Sequence, residues 1–299
     1  MRLRPTPRAR GAMISCLIIG LFWTSPSQAE APRKLRIGAK TFTESKILAY
    51  MLWHLAREAG ANPELPLNVV GNEIIWDMLN KGDLDAYVDY DGTIERLQKT
   101  TVLPDGIGSI PLAFENNYKV GVKQKSGLEK ISDLKGKSGR LELSAGFHRR
   151  LWPKMKQRYK LNNIEGVEWD PVKHPMYKNA VERVIAGEIL GTDVYSTDPI
   201  AGQLKLLEDD LKILGTYKAM IVYRKDRVKG SVLNAFKRLS GRISEGDIRK
   251  EIAKVDSGSS LESQVAEKYL RDNQILIGVA FTLWLRRKKE NLPEPEIES

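Results

Sequence analysis

The placement of tyrosine suggests the chemistry of this chain. Tyr90 stands just before Asp91-Gly92-Thr93 and Tyr195 just before Ser196-Thr197-Asp198, while Tyr118 opens a short alternating run and Tyr217 opens a largely apolar one. Aromatic faces attract cations, and several faces around one cavity can hold an ammonium group that has no hydrogen-bond donor of its own. Other chemistries find less support. The three histidines, His54, His148 and His174, have no cysteine partners and no metal-ligand spacing. The chain has no Gly-x-Ser-x-Gly elbow, no His-Glu-x-x-His helix and no phosphate-binding loop. Asp83, Asp85, Asp89 and Asp91 form a dense acidic run with alternate spacing. It reads as a solvated strand face and turn rather than a cation site. Carboxylates paired for hydrolysis must converge from two sides, which one strand cannot supply. The expectation is a binding protein that performs no reaction and needs no cofactor and no metal.

The tyrosines can act together only if a scaffold brings strand ends to one place. A strand is predicted at 35–38. Thr41-Phe42-Thr43-Glu44 has capping-box spacing, and Ile47, Leu48, Met51, Leu52 and Leu55 continue at helical spacing up to Gly60. A strand at 67–70, a helix at 74–80 closed by Gly82, and a strand at 85–90 follow. This alternation implies a parallel sheet with helices on its faces. In the second block, a strand at 118–122 carries the chain into another lobe, and a helical turn starts at Ile131. Next come a strand at 140–143, a helix at 147–159 with Pro153 near its first turn or kinking it, a helix at 174–187, and a strand at 191–195. A strand at 217–223 returns to the first lobe, and helices at 232–239, 244–255 and 261–270 complete it. Ligands of open α/β sheets bind outside the carboxyl ends of the strands. On this reading Tyr90 and Tyr195 occupy matching positions in two lobes and face one another across a cleft.

Composition sets the class. The chain has 299 residues, enough for two domains, with 41% hydrophobic and 29% charged residues. Of its formal charge of +10, four units come from Arg2, Arg4, Arg8 and Arg10. The remaining mild excess is interspersed with acids and lacks the basic stripe of a nucleic-acid surface. Those arginines, an apolar stretch at 12–23 and the small residues Ser27 and Ala29 read as a signal peptide at 1–29. Cys16 is the single cysteine, so cleavage leaves a thiol-free protein suited to an oxidising, periplasmic compartment. Near the other end, an apolar stretch at 275–285 precedes Arg286-Arg287-Lys288-Lys289. It is too short to span a bilayer as a helix, and either packs on a lobe, lies at a membrane surface or is the remnant of an anchor.

Several motifs, in order from about Leu35 to Leu270, resemble those of the glycine betaine/choline-binding proteins of ABC importers. They are Lys40-Thr41-Phe42-Thr43-Glu44, Gly82-Asp83-Leu84-Asp85, Asp89-Tyr90-Asp91-Gly92-Thr93, Asn116-Asn117-Tyr118, Phe147-His148-Arg149-Arg150, Tyr195-Ser196-Thr197-Asp198 and Leu207-Glu208-Asp209-Asp210. The resemblance implies a type II periplasmic-binding-protein fold: α/β and two-lobed, each lobe a mostly parallel sheet flanked by helices, with the ligand cleft between lobes. The expected division is lobe 1 at 34–117, lobe 2 at 118–216, the return of lobe 1 at 217–273 and a tail at 274–299. The resemblance further implies an aromatic box of Tyr90, Tyr118, Tyr195 and Tyr217 around a quaternary ammonium. Arg150, with Lys40 and Thr93, would hold a ligand carboxylate, a task suited to the forked guanidinium. The implied partners are a small quaternary ammonium solute and a membrane permease, with the receptor acting as a monomer. Two departures stand out. Asp89 and Asp91 flank Tyr90 where the family has Glu and Thr, which would add negative charge beside the cage and favour choline. The segment from Thr93 to Tyr118 is also shorter than the family's. The alternatives are the same fold around an amino acid or other polar solute, and a membrane-attached sensory domain.

Overall fold

The computed structural model describes residues 33–169 and 178–277. The expected signal peptide, the start of the helix predicted at 174–187 and the tail from 278 onward lie outside the described residues. In chain order the elements begin with β1 (Leu35–Arg36), α1 (Thr43–Glu58), β2 (Pro63–Glu64), α2 (Asn72–Lys81), β3 (Ala86–Tyr90), α3 (Asp91–Gln98) and β4 (Ile107–Glu115). The chain continues with β5 (Tyr118–Val122), β6 (Gly139–Leu143), α4 (Ala145–Arg150), α5 (Trp152–Tyr159), β7 (Ile164–Glu168), α6 (Lys178–Ala186), β8 (Gly191–Tyr195) and β9 (Lys205–Leu207). It closes with β10 (Lys218–Arg224), α7 (Gly230–Lys237), α8 (Glu245–Asp256) and α9 (Glu262–Asp272). None of the described helices is long and apolar enough to cross a membrane.

Two sheets organise these elements into two lobes. The first has the order β3-β10-β4, with the parallel pair β1-β2 joined to it through a bridge between Ile37 and Ala86. The second has the order β7-β6-β8-β5-β9. Each lies between two apolar cores. In β3, Val88 and Tyr90 pack towards α1, whereas Tyr87 joins Ile75 and Leu79 of α2 on the other face, as the two-residue period of a strand requires. Ile47, Met51, Leu52 and Leu55 of α1 are fully buried, so the helical spacing in the sequence is the stripe that meets the first sheet. In the second lobe Val120, Leu141 and Leu143 face Phe147 and Met155, and Val194 faces Val181 and Val184 of α6.

The structure departs from the sequence reading in several elements. Both sheets are mixed rather than mostly parallel. β10 runs antiparallel to β3 and β4, and β5 antiparallel to β8 and β9, because the strands that pass between lobes enter each sheet from its far end. No strand forms at 67–70. Pairing with β1 is made earlier, at β2, and Asn68 turns the chain with a φ of 65°, leaving one bridge from Val69 to Lys40. The helix predicted at 147–159 breaks at Leu151 into α4 and α5, and Pro153 falls in the first turn of α5, where its missing N–H costs nothing. β4 was not predicted, although Ile110, Leu112 and Phe114 alternate inward. Pro111 masks the pattern, and is tolerated because β4 is an edge strand with a register shift opposite it.

Candidate ligand-binding cleft

A cleft of about 370 Å³ is lined from both lobes. Tyr90 closes β3 and serves as the N-cap of α3, and Thr93 sits in the first turn of that helix. Lys40 approaches from the segment between β1 and α1. It is 6% exposed, and its Nζ donates to Asp89 Oδ1 at 2.9 Å and to Asn72 Oδ1 at 3.0 Å. This ion pair holds the ammonium 6.0 Å from the centre of the Tyr90 ring.

Strand register supplies the opposite wall. Tyr118 and Tyr195 are direct partners in the antiparallel β5–β8 pair, so their side chains project side by side from one face. Their ring centroids are 4.7 Å apart, and the Tyr195 hydroxyl donates to Tyr118 Oη at 2.8 Å. Tyr217 stands edge-on to Tyr118 at 6.0 Å, and Phe147 supports Tyr118 from behind at 5.5 Å. Arg150, at the end of α4, donates to Tyr118 Oη at 3.1 Å and to the Gly146 carbonyl at 3.1 Å. Its guanidinium is thereby held at the cleft.

Two linkers hold the walls together. Asn116 N–H donates to the Tyr217 carbonyl at 2.9 Å, and Tyr217 N–H donates to Asn117 Oδ1 at 2.8 Å. Asn117 N–H also donates to Ser196 Oγ at 3.0 Å, and Ser196 N–H to the Asn117 carbonyl at 2.9 Å. Tyr217 is thus fixed by backbone and side-chain bonds to the other crossing segment.

All seven residues singled out from the sequence, Tyr90, Tyr118, Tyr195, Tyr217, Arg150, Lys40 and Thr93, line this one cleft. The structure adds Glu44, Asn116, Thr197, Asp198, Asn72, Arg96, Phe42, Thr43, Ile252 and Asp256. Phe42, Thr43, Glu44, Asn116, Thr197 and Asp198 fall inside the quoted motifs but carry no ligand contact in the sequence reading. Nothing in the sequence distinguishes Asn72, Arg96, Ile252 or Asp256. Glu44 had been read as half of a capping box. The N-cap is instead Phe42, without a side-chain cap, and Glu44 turns inward. Burial pushes its carboxyl up to about 7, against the lowering effect of hydrogen bonds from Thr197 and Asn116 and of the nearby Lys40 charge.

The acidic run is also corrected. Asp85 and Asp89 are fully buried, not solvated, because helices cover both faces of β3. Asp85 accepts from the Arg36 N–H at 2.8 Å and from Arg227 at 3.2 Å. Asp91 accepts from the backbone N–H of Gly92 at 2.6 Å and of Lys218 at 2.9 Å. Asp89 is paired with Lys40, and neither Asp89 nor Asp91 lines the cleft itself. Among the described residues no group of three or more His, Cys, Asp or Glu side chains is placed to hold a metal ion.

The family model for the substrate binding domain of ABC-type glycine betaine transport systems, OpuAC, matches residues 33–272. The chain belongs to this family. Solved structures of similar architecture agree with that placement. One is a glycine betaine/carnitine/choline ABC transporter protein, 21% identical, with a TM-score of 0.68 over 82% of this chain and 100% of its own. A lactococcal OpuAC in a closed, glycine betaine-bound form is 14% identical, with a TM-score of 0.62 over 81% and 96%. An ABC-transporter choline-binding protein in complex with choline is 15% identical, with a TM-score of 0.59 over 83% and 91%. The cleft of this OpuAC-family chain therefore sits on the two-lobed α/β fold of a type II periplasmic binding protein.

Proposed function

We propose that this chain is an extracytoplasmic receptor that holds a quaternary ammonium solute, such as glycine betaine or choline, in an aromatic cage and presents it to a membrane permease. The observation that carries this reading is the convergence of Tyr90, Tyr118, Tyr195 and Tyr217 on one cleft that also contains Arg150 and Lys40. A trimethylammonium group offers no hydrogen-bond donor, so tyrosine faces are its natural partners. Arg150 and Lys40, with the Thr93 hydroxyl, suit a carboxylate at the other end of the ligand. Closure of the lobes follows from a ligand that touches both, because it favours the state in which all contacts are made. No reaction on the ligand is part of this reading. Glycine betaine and choline as ligands of two structural neighbours, and the glycine betaine transport description of the family, support the ligand class.

Calorimetric titration with glycine betaine, choline and a plain amino acid tests the reading. Binding of a quaternary ammonium that is lost in Tyr90→Ala and Tyr195→Ala is the expected result. A folded protein that binds only the amino acid would favour the alternative of a polar-solute receptor.

A further inference from the structure

We propose that Glu44 is a specificity-determining residue of the cleft, whose carboxylate favours a ligand of net positive charge over a zwitterion. The inference rests on the quaternary-ammonium reading above and deepens it. Glu44 is only 4% exposed, yet it lines the cleft from the first turn of α1. One amide ties it to the cage: Asn116 Nδ2 lies 3.4 and 3.5 Å from its two carboxyl oxygens and 3.3 Å from Tyr90 Oη. The Thr197 hydroxyl is a further partner. The carboxyl therefore stands one amide away from the aromatic wall.

The charges facing it leave it as the adjustable one. Lys40, just before α1, is committed to Asp89 of β3. Arg96 of α3 pairs with Glu73 at 3.4 Å, and Arg150 of α4 is held by Tyr118. Asp198 and Asp256, the latter on α8, are the other acids on the lining. With burial raising the Glu44 carboxyl to about 7, its charge is incomplete at neutral pH. A cation in the cage favours the ionised form, so binding expels a proton, and by linkage affinity rises with pH. The carboxylate of glycine betaine offsets most of this attraction, whereas choline has no such group.

The test is calorimetry of the full chain with choline and with glycine betaine at pH 6 and pH 8, each in two buffers of different ionisation enthalpy. For wild type, choline should bind about tenfold more tightly at pH 8 than at pH 6, with proton release seen as buffer-dependent heat at pH 6 and little of it at pH 8. Glycine betaine should change less. In Glu44→Gln both profiles should flatten and the preference for choline relative to glycine betaine should fall. Binding with no pH dependence and no buffer-dependent heat in wild type overturns the role of Glu44 without any variant. A profile that survives Glu44→Gln also overturns it, and moves the titration to Asp193, which lies behind Tyr195 and is raised by burial to about 6. If neither ligand binds, the functional reading falls, and the role of Glu44 with it.

Discussion

Two tyrosines of the proposed cage differ in what surrounds them, and their substitutions should differ accordingly. Tyr195 is 40% exposed and presents its ring to the cleft, so Tyr195→Ala should lower quaternary-ammonium affinity about tenfold while leaving the melting temperature nearly unchanged. Tyr90 is 8% exposed and belongs to the core beneath α1. Tyr90→Ala should therefore cost both affinity and about 2–4 kcal/mol of stability, measurable by denaturant unfolding. Glu44 allows a prediction about stability in the absence of ligand. Its folded pKa of about 7 lies above the usual carboxylate value of 4.5, so between these pH values the native state binds more protons than the unfolded one. Stability from this group is fully present below about 4.5 and is lost as pH rises through 7. Glu44→Gln removes that loss, so the variant should melt above wild type at pH 8, with the difference shrinking towards pH 4.5. The four tyrosines were legible because each sits at or beside the end of a strand that residue pattern marks, whereas Lys40, Thr93 and Arg150 were legible only through the family motifs. Glu44 was misread because a capping box and an inward-turned acid share the same sequence, and only the helix start one residue later separates them.

Elements aim the side chains, and α3 is the clearest case. At Gly92, in its first turn, an added Cβ would lie 2.9 Å from two carbons of the Tyr217 ring. Gly92→Ala should displace that ring and weaken ligand binding by about three- to tenfold, with little loss of stability because the new methyl can only crowd a side chain at the cleft. Calorimetry alongside thermal melting separates the two effects. α3 itself was invisible in the sequence, since Asp91-Gly92-Thr93 carries turn residues and Tyr90 is an unusual N-cap. Long amphipathic elements such as α1 were legible from apolar spacing alone. The edge strands β7 and β9 were not, because β7 carries Glu165, Gly166 and Glu168 on a largely unburied strand and β9 has only three residues in which to show a two-residue period.

At the scale of the molecule, the two crossing segments bond one another through Asn116, Asn117 and Tyr217, and Asn117 also bonds Ser196 just after β8. A ligand engaging both walls should draw the lobes together, giving a smaller radius of gyration in small-angle scattering that Tyr195→Ala fails to reach at the same ligand concentration. Binding to the native state alone also stabilises it. At a hundredfold excess over Kd the gain is about 2.7 kcal/mol, which for a chain of this size raises the melting temperature by about 5–10 °C. The two-lobed α/β class was readable from element order, but the mixed sheets were not. Whether a strand enters a sheet parallel or antiparallel depends on which end of the neighbouring lobe the chain comes from, and residue pattern carries no record of that.

The strand order β3-β10-β4 has a consequence for the order of assembly. Its middle strand is the last to be reached along the chain, so the segments before residue 118 cannot close their sheet until residues 218–224 arrive. The five-stranded sheet draws all its strands from between 118 and 207. As a chain emerges from its N-terminus, the inserted lobe is the first that can be finished, and the opening segment waits, incomplete, for the return of its centre.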